Sequence, residues 1–279
     1  MPRNIDHLID NTNFHFHERD VTETITDHNR YDGILHFASH ASPEEYQKHP
    51  IETLTVNSQG TNTLLELARK NDAPFLYSST SEIYGDPTVI PTPESYWGNV
   101  SSIGPRSCYD EGKRFGEALC MAYHKAYGLD VRLIRIFNTY GPRLRADGYY
   151  GRALSRFIDQ ALSGHEITVY GDGKQTRSFC YVTDTIRAAL LALGESRMKG
   201  EVVNVGNPEE ITIFELAKRV QTVAQSNSKI TFYPRPPHDP QRRAPVITRA
   251  KLILAWSPSI PLDEGLEKTV QWFRSQRGL

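Results

Sequence analysis

Tyr109-Asp110-Glu111-Gly112-Lys113 puts a phenol and an ammonium four residues apart. On a helix, residues i and i+4 share a face, about one turn apart. An ammonium there stabilises a phenolate, which can take a proton from a substrate hydroxyl near neutral pH. A solvated Tyr–Lys pair has the same spacing, so the chemistry needs a companion group. Ser78-Ser79-Thr80-Ser81-Glu82-Ile83-Tyr84-Gly85 supplies one. It follows the apolar run Phe75–Tyr77, at the carboxyl end of a strand, where open α/β sheets bind ligands. Four hydroxyls leaving a buried strand are costly unless they meet backbone or ligand groups. The bland reading is a polar turn closing the strand.

These segments need a scaffold. Apolar runs at Phe14–Phe16, Gly33–Ala38, Phe75–Ser79 and Val131–Ile136 read as strands. Helical stretches at Pro50–Lys70 and Ser107–Tyr127 alternate with them. The pattern predicts an α/β fold, a Rossmann-like doubly wound parallel sheet, with strands buried on both faces. In the second helix Ser107 is the expected N-cap, Asp110 the N3 partner and Gly128 the C′ residue. Phe115, Leu119, Ala122 and Ala126 recur at helical spacing.

The second half reads differently. An amphipathic stretch Gly151–Ser163 precedes strands at Ile167–Tyr170 and Arg177–Val182, with the turn Gly171-Asp172-Gly173 between them. A strand Val202–Val205, a helix from Thr212, a strand Ile230–Tyr233 and a closing helix Leu262–Ser275 follow. Pro234–Pro245 holds five prolines and reads as a loop. The expected division is residues 1–148 as a dinucleotide-binding domain, with 183–206 returning to it. Residues 149–182 and 207–279 would form a smaller mixed α/β substrate lobe.

Composition narrows the class. The chain has 279 residues, 32 Lys+Arg against 33 Asp+Glu and a net charge of −1, which argues against a nucleic-acid binder with a basic face. No apolar run approaches the ~18 residues of a membrane span, and the start shows no apolar stretch resembling a signal peptide. Three cysteines without a CxxC pair fit a reducing compartment, hence a cytoplasmic location. His15 and His17 lack an evident third ligand, so no metal is expected. Trp97, Trp256 and Trp272 read as packing residues.

Together, the hydroxyl run and the Tyr-x-x-x-Lys segment resemble the extended short-chain dehydrogenase/reductase family, the NAD-dependent epimerases and dehydratases. The likeness continues through Arg19-Asp20-Val21-Thr22, Leu35-His36-Phe37-Ala38-Ser39, Arg135–Arg143 and Val169-Tyr170-Gly171 with Gln175-Thr176-Arg177. Within the family the UDP-glucuronate decarboxylase (UDP-xylose synthase) group is most similar. Thr80–Pro87, Tyr96–Val100, Ile103–Arg114 and Asp239–Arg243 carry that similarity. The related 4,6-dehydratases place Asp where Ser81 stands.

The resemblance implies NAD as cofactor and a UDP-sugar as substrate. Tyr109 would take the C4 hydroxyl proton while hydride passes to NAD. Lys113 would lower the tyrosine pKa and hold the ribose. The resulting 4-ketone lies β to the C6 carboxylate, so CO₂ can leave. Thr80 and Ser81 would hydrogen-bond the C4 oxygen, and Glu82 and Arg243 would control protonation. Cofactor contacts fall on Asp20, Val21, Phe37, Ser39, Asn57, Tyr109, Lys113 and Arg152. Substrate contacts fall on Tyr123, Asn138, Tyr170, Gln175, Arg177 and Arg243. The family also implies a homodimer through helices 50–70 and 107–127.

The chain departs from the family in places. The opening strand, GxxGxxG turn, helix and second strand have no counterpart, which leaves an expected shortfall on the order of 30–40 residues. The strand at Phe14 would then lack its neighbours, and the following strand would have an open edge. Thr55-Val56-Asn57 stands for the usual Lys-Thr-Asn, and His40 for a proline. The stretch 146–151 is about two residues longer. The alternatives are an inactive homologue that binds UDP-sugars or pairs with a full-length subunit, and another sugar-nucleotide epimerase or dehydratase.

Overall fold

A computed structural model describes residues 3–26, 29–145, 153–235 and 241–278. Its centre is a parallel sheet. Strand β1 (Ile34–His36) is followed by α1 (Pro43–Lys48) and then by α2 (Pro50–Thr55), a π-helical turn (Val56–Gly60) and α3 (Thr61–Asn71) in direct succession. Next come β2 (Phe75–Thr80), α4 (Ser107–Tyr127) and β3 (Val131–Ile136). The chain continues through β4 (Thr139–Tyr140), α5 (Ala153–Leu162), β5 (Ile167–Tyr170), β6 (Thr176–Ser178) and β7 (Cys180–Tyr181). It ends with α6 (Val182–Gly194), β8 (Val202–Val205), β9 (Glu210–Thr212), α7 (Ile213–Val223), β10 (Ile230–Tyr233), α8 (Thr248–Leu254) and α9 (Leu262–Ser275).

The sheet order is β1-β2-β3-β8, all parallel, with Phe75 level with Ile34 and Val131. Side chains alternate across it. Phe75, Tyr77, Val131 and Leu133 pack with Leu64, Leu65 and Cys120 of α3 and α4. Leu76 and Ile134 pack on the other face with Ala188, Ala189 and Trp256. Covering both faces explains why β2 is apolar or buried at every position. A separate cluster joins α5, α7 and α9, through Phe157, Leu216 and Val270, to β5 and Tyr140.

Several expectations are corrected. Residues 14–16 form no strand; Phe16 is exposed, and a lone strand has no ladder to hold it. The stretch from Arg177 splits into β6, antiparallel to β9, and β7, parallel to β4. Helix α1 was not anticipated, although its cues are explicit: Ser42 accepts the Glu45 amide at 3.3 Å and Pro43 opens the first turn. The α4 cap also differs. Arg106, not Ser107, is the N-cap and makes no side-chain cap bond; Asp110 turns toward Arg106 instead, 3.6 Å from its Nε. Gly128 does close α4 in the left-handed region, φ 69°. Trp256 is fully buried with its indole donating to Asp184 O, but Trp97 is 89% exposed.

Candidate active site

The carboxyl ends of β2 and β3 open into a cleft of about 450 Å³. One wall holds Tyr46 of α1, Thr80 at the end of β2, Ser81 and Glu82 after it, and Arg106 and Tyr109 at the start of α4. The other holds Asn138, Arg156, Tyr170, Gln175, Arg177 and Arg243.

The hydroxyl run resolves residue by residue. Ser78 donates to His36 O at 2.8 Å, and Ser79 donates to Glu117 at 2.5 Å. Thr80 caps the 3-10 turn Ser81–Tyr84 by accepting the Glu82 amide at 3.2 Å. The first hydroxyls are thus used by the framework, while Thr80 and Ser81 line the cleft. The turn carries Glu82 onto the cleft floor, where Arg106 and Arg243 each donate to one carboxylate oxygen. Burial alone would raise this carboxyl; Arg243 and Arg106 overcome it and bring the pKa to about 2. Arg243 also donates to Gly85 O at 3.1 Å, which fixes the loop 241–245 against the turn after β2.

Tyr109 is buried and stacks on Tyr46, with ring centres 5.1 Å apart and planes 6° from parallel. Lys113 lies one turn on. Its ammonium donates to Ser78 O at 2.9 Å and stands 4.9 Å from the Tyr77 ring centre. Burial pulls its pKa down to about 8.

On the far wall Gln175 donates to Tyr170 O at 2.6 Å, Asn138 to Ser178 O at 3.3 Å and Arg177 to Thr176 O at 2.8 Å. Arg156 lies over the Tyr170 ring, 4.7 Å from its centre. Tyr123 does not reach the cleft. It sits farther along α4, its hydroxyl within hydrogen-bond distance of Asn62 Oδ1 and Glu66 Oε1 on α3, at 2.8 and 2.7 Å. Arg152 falls outside the described residues.

The expected dinucleotide contacts gather beside β1. Asn57 donates to Ser39 Oγ at 3.0 Å and to Thr53 O at 2.8 Å. Val21 packs against Gly60, where a Cβ would stand 2.8 Å from Val21 Cγ2. Asp20 is exposed and accepts the amide and hydroxyl of Thr22, both at 2.8 Å. Phe37 is 45% exposed. Two buried polar atoms in this neighbourhood, Asn57 Oδ1 and His36 Nδ1, have no hydrogen-bond partner. Burial, with Lys113 adding, drops His36 to about 3, so its ring is neutral. Unmet polar atoms and a buried ammonium beside Tyr109 fit the ribose–nicotinamide end of a dinucleotide.

Local spacing gives no role to three further cleft residues, Arg106, Tyr46 and Arg156. Arg106 lies inside the segment Ile103–Arg114, which by itself does not show what its guanidinium meets. Tyr46 was hidden with its helix, for which Ser42-Pro43 was the available signal. Nothing in the local spacing pointed to Arg156.

A doubly wound parallel sheet with a cleft at its carboxyl edge defines a Rossmann-like α/β protein. Residues 2–206 match the NAD dependent epimerase/dehydratase family, and the chain belongs to it. It is 49% identical over 271 residues to UDP-glucuronic acid decarboxylase 1 of Danio rerio, covering 97% of this chain and 63% of that protein. It is 45% identical to UDP-glucuronic acid decarboxylase 6 of Arabidopsis thaliana, covering 99% and 79%. The chain thus spans less than two thirds of the first of these relatives. Among solved structures, UDP-glucuronic acid 4-epimerase from Bacillus cereus in complex with NAD superposes with a TM-score of 0.83 at 29% identity, covering 99% of this chain and 84% of that one. UDP-glucose 4-epimerase of Thermotoga maritima with UDP-glucose gives 0.82 at 30%, covering 88% and 78%.

Proposed function

We propose that this chain binds a UDP-sugar and catalyses the NAD-dependent decarboxylation of UDP-glucuronate to UDP-xylose. The observation that carries the reading is the seat of Glu82 between Arg106 and Arg243, on the floor of a cleft that Tyr109, Thr80 and Ser81 also line. Two arginines that converge on one carboxylate at the cleft floor suit a sugar bearing a carboxylate and a diphosphate. The relatives named as UDP-glucuronic acid decarboxylases support the choice of sugar.

Tyr109 takes the proton of the C4 hydroxyl, and Thr80 and Ser81 hydrogen-bond the C4 oxygen. NAD, when bound, supplies the reversible oxidation at C4, and Asp20, Val21, Phe37, Ser39, Asn57 and Lys113 would hold it. A 4-ketone is β to the C6 carboxylate, so the C5–C6 bond breaks with its electron pair moving into an enolate. Glu82 and Arg243 orient the carboxylate and govern the return of a proton to C5. Asn138, Tyr170, Gln175 and Arg177 hold the nucleotide.

A second reading is a sugar-nucleotide binder without turnover. The open edge of β1, beside the residues assigned to the cofactor, favours it. Incubation with UDP-glucuronate and excess NAD separates the two. The first reading expects CO₂ and UDP-xylose; UDP binding without product leaves the second.

The same reading includes a homodimer through helices 50–70 and 107–127. Ile51, Leu54 and Phe115 on these helices are 69%, 40% and 51% exposed, which supports it. None of the described helices is long and apolar enough to cross a membrane. The three free cysteines support a reducing, cytoplasmic location.

A further inference from the structure

The carboxylate of Asp110 has no role in the steps above, yet it is buried against the cleft floor. Its Oδ1 has no hydrogen-bond partner, and its Oδ2 lies 3.6 Å from Arg106 Nε. Arg106 in turn donates through Nη2 to Glu82, whose other oxygen takes Arg243. Arg243 Nε is also buried and unpartnered. The four groups form an alternating row, acid–base–acid–base. The charged and titratable groups that act on or feel Asp110 are Arg106 at the start of α4, Glu82 on the 3-10 turn, Arg243 from the segment before α8, Tyr46 from α1 and Cys108 from α4. Asp110 is also the expected N3 partner of a Ser107 cap, and it turns toward Arg106 instead.

We propose that Asp110 sets the net charge of the cleft floor: ionised, it balances the row to zero; protonated, it leaves one uncompensated positive charge for the carboxylate of an acidic sugar. Resting on the sugar-nucleotide reading above, this names how that site tells an acidic sugar from a neutral one. Asp110 touches neither sugar nor cofactor in this scheme and acts through Arg106, so it is a positioning residue.

The chemistry gives the proposal a consequence. Decarboxylation of a carboxylate consumes one proton: the C5–C6 bond breaks, CO₂ leaves uncharged and C5 gains hydrogen. The anion that favoured protonated Asp110 is then gone, so the product's neutral sugar no longer holds the proton there. Substrate is favoured by the protonated floor, and product release restores the balanced one. Burial, with Glu82 second, lifts the Asp110 carboxyl to about 7 against the pull of Arg106 and Arg243, so the exchange falls near neutrality.

Titration calorimetry with UDP-glucuronate and UDP-glucose, at pH 6 to 8 in buffers of different ionisation enthalpy, tests it. UDP-glucuronate should bind with proton uptake and lose roughly tenfold in affinity per pH unit above the Asp110 pKa, while UDP-glucose binding stays flat. In Asp110→Asn, uptake should vanish and the UDP-glucuronate profile should flatten. An unchanged slope in the variant, or the same slope with UDP-glucose, overturns the proposal and leaves sugar-nucleotide binding standing. Failure of both nucleotides to bind overturns that reading as well. A carbon-13 titration of the Asp110 carboxyl in the unaltered chain needs no variant: a midpoint near 7 supports the proposal, and one below 5 overturns it.

Discussion

The floor of the cleft and the edge at β1 both belong to the expected site, but they are built in opposite ways. At the floor, Glu82, Arg106 and Arg243 come from three separate parts of the chain and hold one another by charge-assisted bonds, with Arg243 buried and the other two part-buried. At the edge, Asp20 bonds only to Thr22, two residues on. Leu35 and Phe37 remain exposed, as do Ile186 and Leu190 of α6 on the same side of the sheet. Ion pairs cross-link the floor, whereas the edge is held by neutral bonds, such as those of Asn57 to Ser39 and of Gln59 to Thr22 O, and leaves apolar side chains beside β1 exposed. The proposed recognition of an acidic sugar therefore rests on the half held by ion pairs.

The contrast can be broken at several points. Tyr109→Phe should cost about 10²–10⁴ in turnover, the usual share of a positioned acid–base group, with UDP affinity unchanged by calorimetry. Retained turnover would remove Tyr109 from the proton transfer. Arg243→Ala leaves Glu82 with one cation in a buried site and should destabilise the fold by ~3 kcal/mol in denaturant unfolding. A loss no larger than that of Arg177→Ala would show that the floor is no firmer than the rim.

The acid side of the stability curve offers a finer test. Glu82 is held at about 2 against an ordinary value of 4.5. A depressed carboxyl contributes stability above its unfolded pKa and loses it as pH falls through the folded one. Unfolding free energy should thus decline between pH ~4.5 and ~2 by on the order of 3 kcal/mol, and Glu82→Gln should remove that decline. The smallest effect belongs to the edge. Phe37→Ser should change stability by less than about 1 kcal/mol, as expected of a half-exposed side chain at the sheet edge. A loss several times larger would mean that β1 is covered in solution.

Much of this architecture was legible because local and global signals agreed. Apolar runs bounded by turns gave β3, β5, β8 and β10 with the bounds found, and the apolar stripe with Gly128 gave α4. Legibility failed where tertiary forces outweighed local ones. Ser107 has a better cap side chain than Arg106, but Asp110 is pulled toward Arg106, so the capping pair never forms. Phe14–Phe16 has strand composition but no neighbouring strand. In the site, the hydroxyl run and Tyr109 were visible from spacing, whereas the pairing of Glu82 with Arg106 and Arg243 spans separations that no local pattern reports.

The π-helical turn Val56–Gly60 joins α2 to α3 without a break, and it buries Asn57 against Ser39. Such a turn holds one residue more than the regular repeat accommodates. The wider turn completes its revolution with about one residue more than the 3.6 of an α-helix, so it absorbs the surplus locally and leaves α2 and α3 nearly in phase. Deleting Ser58 would let the helix run regularly, with Ile51 and Leu54 still facing outward, while the widened turn that presents Asn57 to Ser39 would be lost. The inward polar contact near the site can thus be removed without re-aiming the outward surface of the same helix.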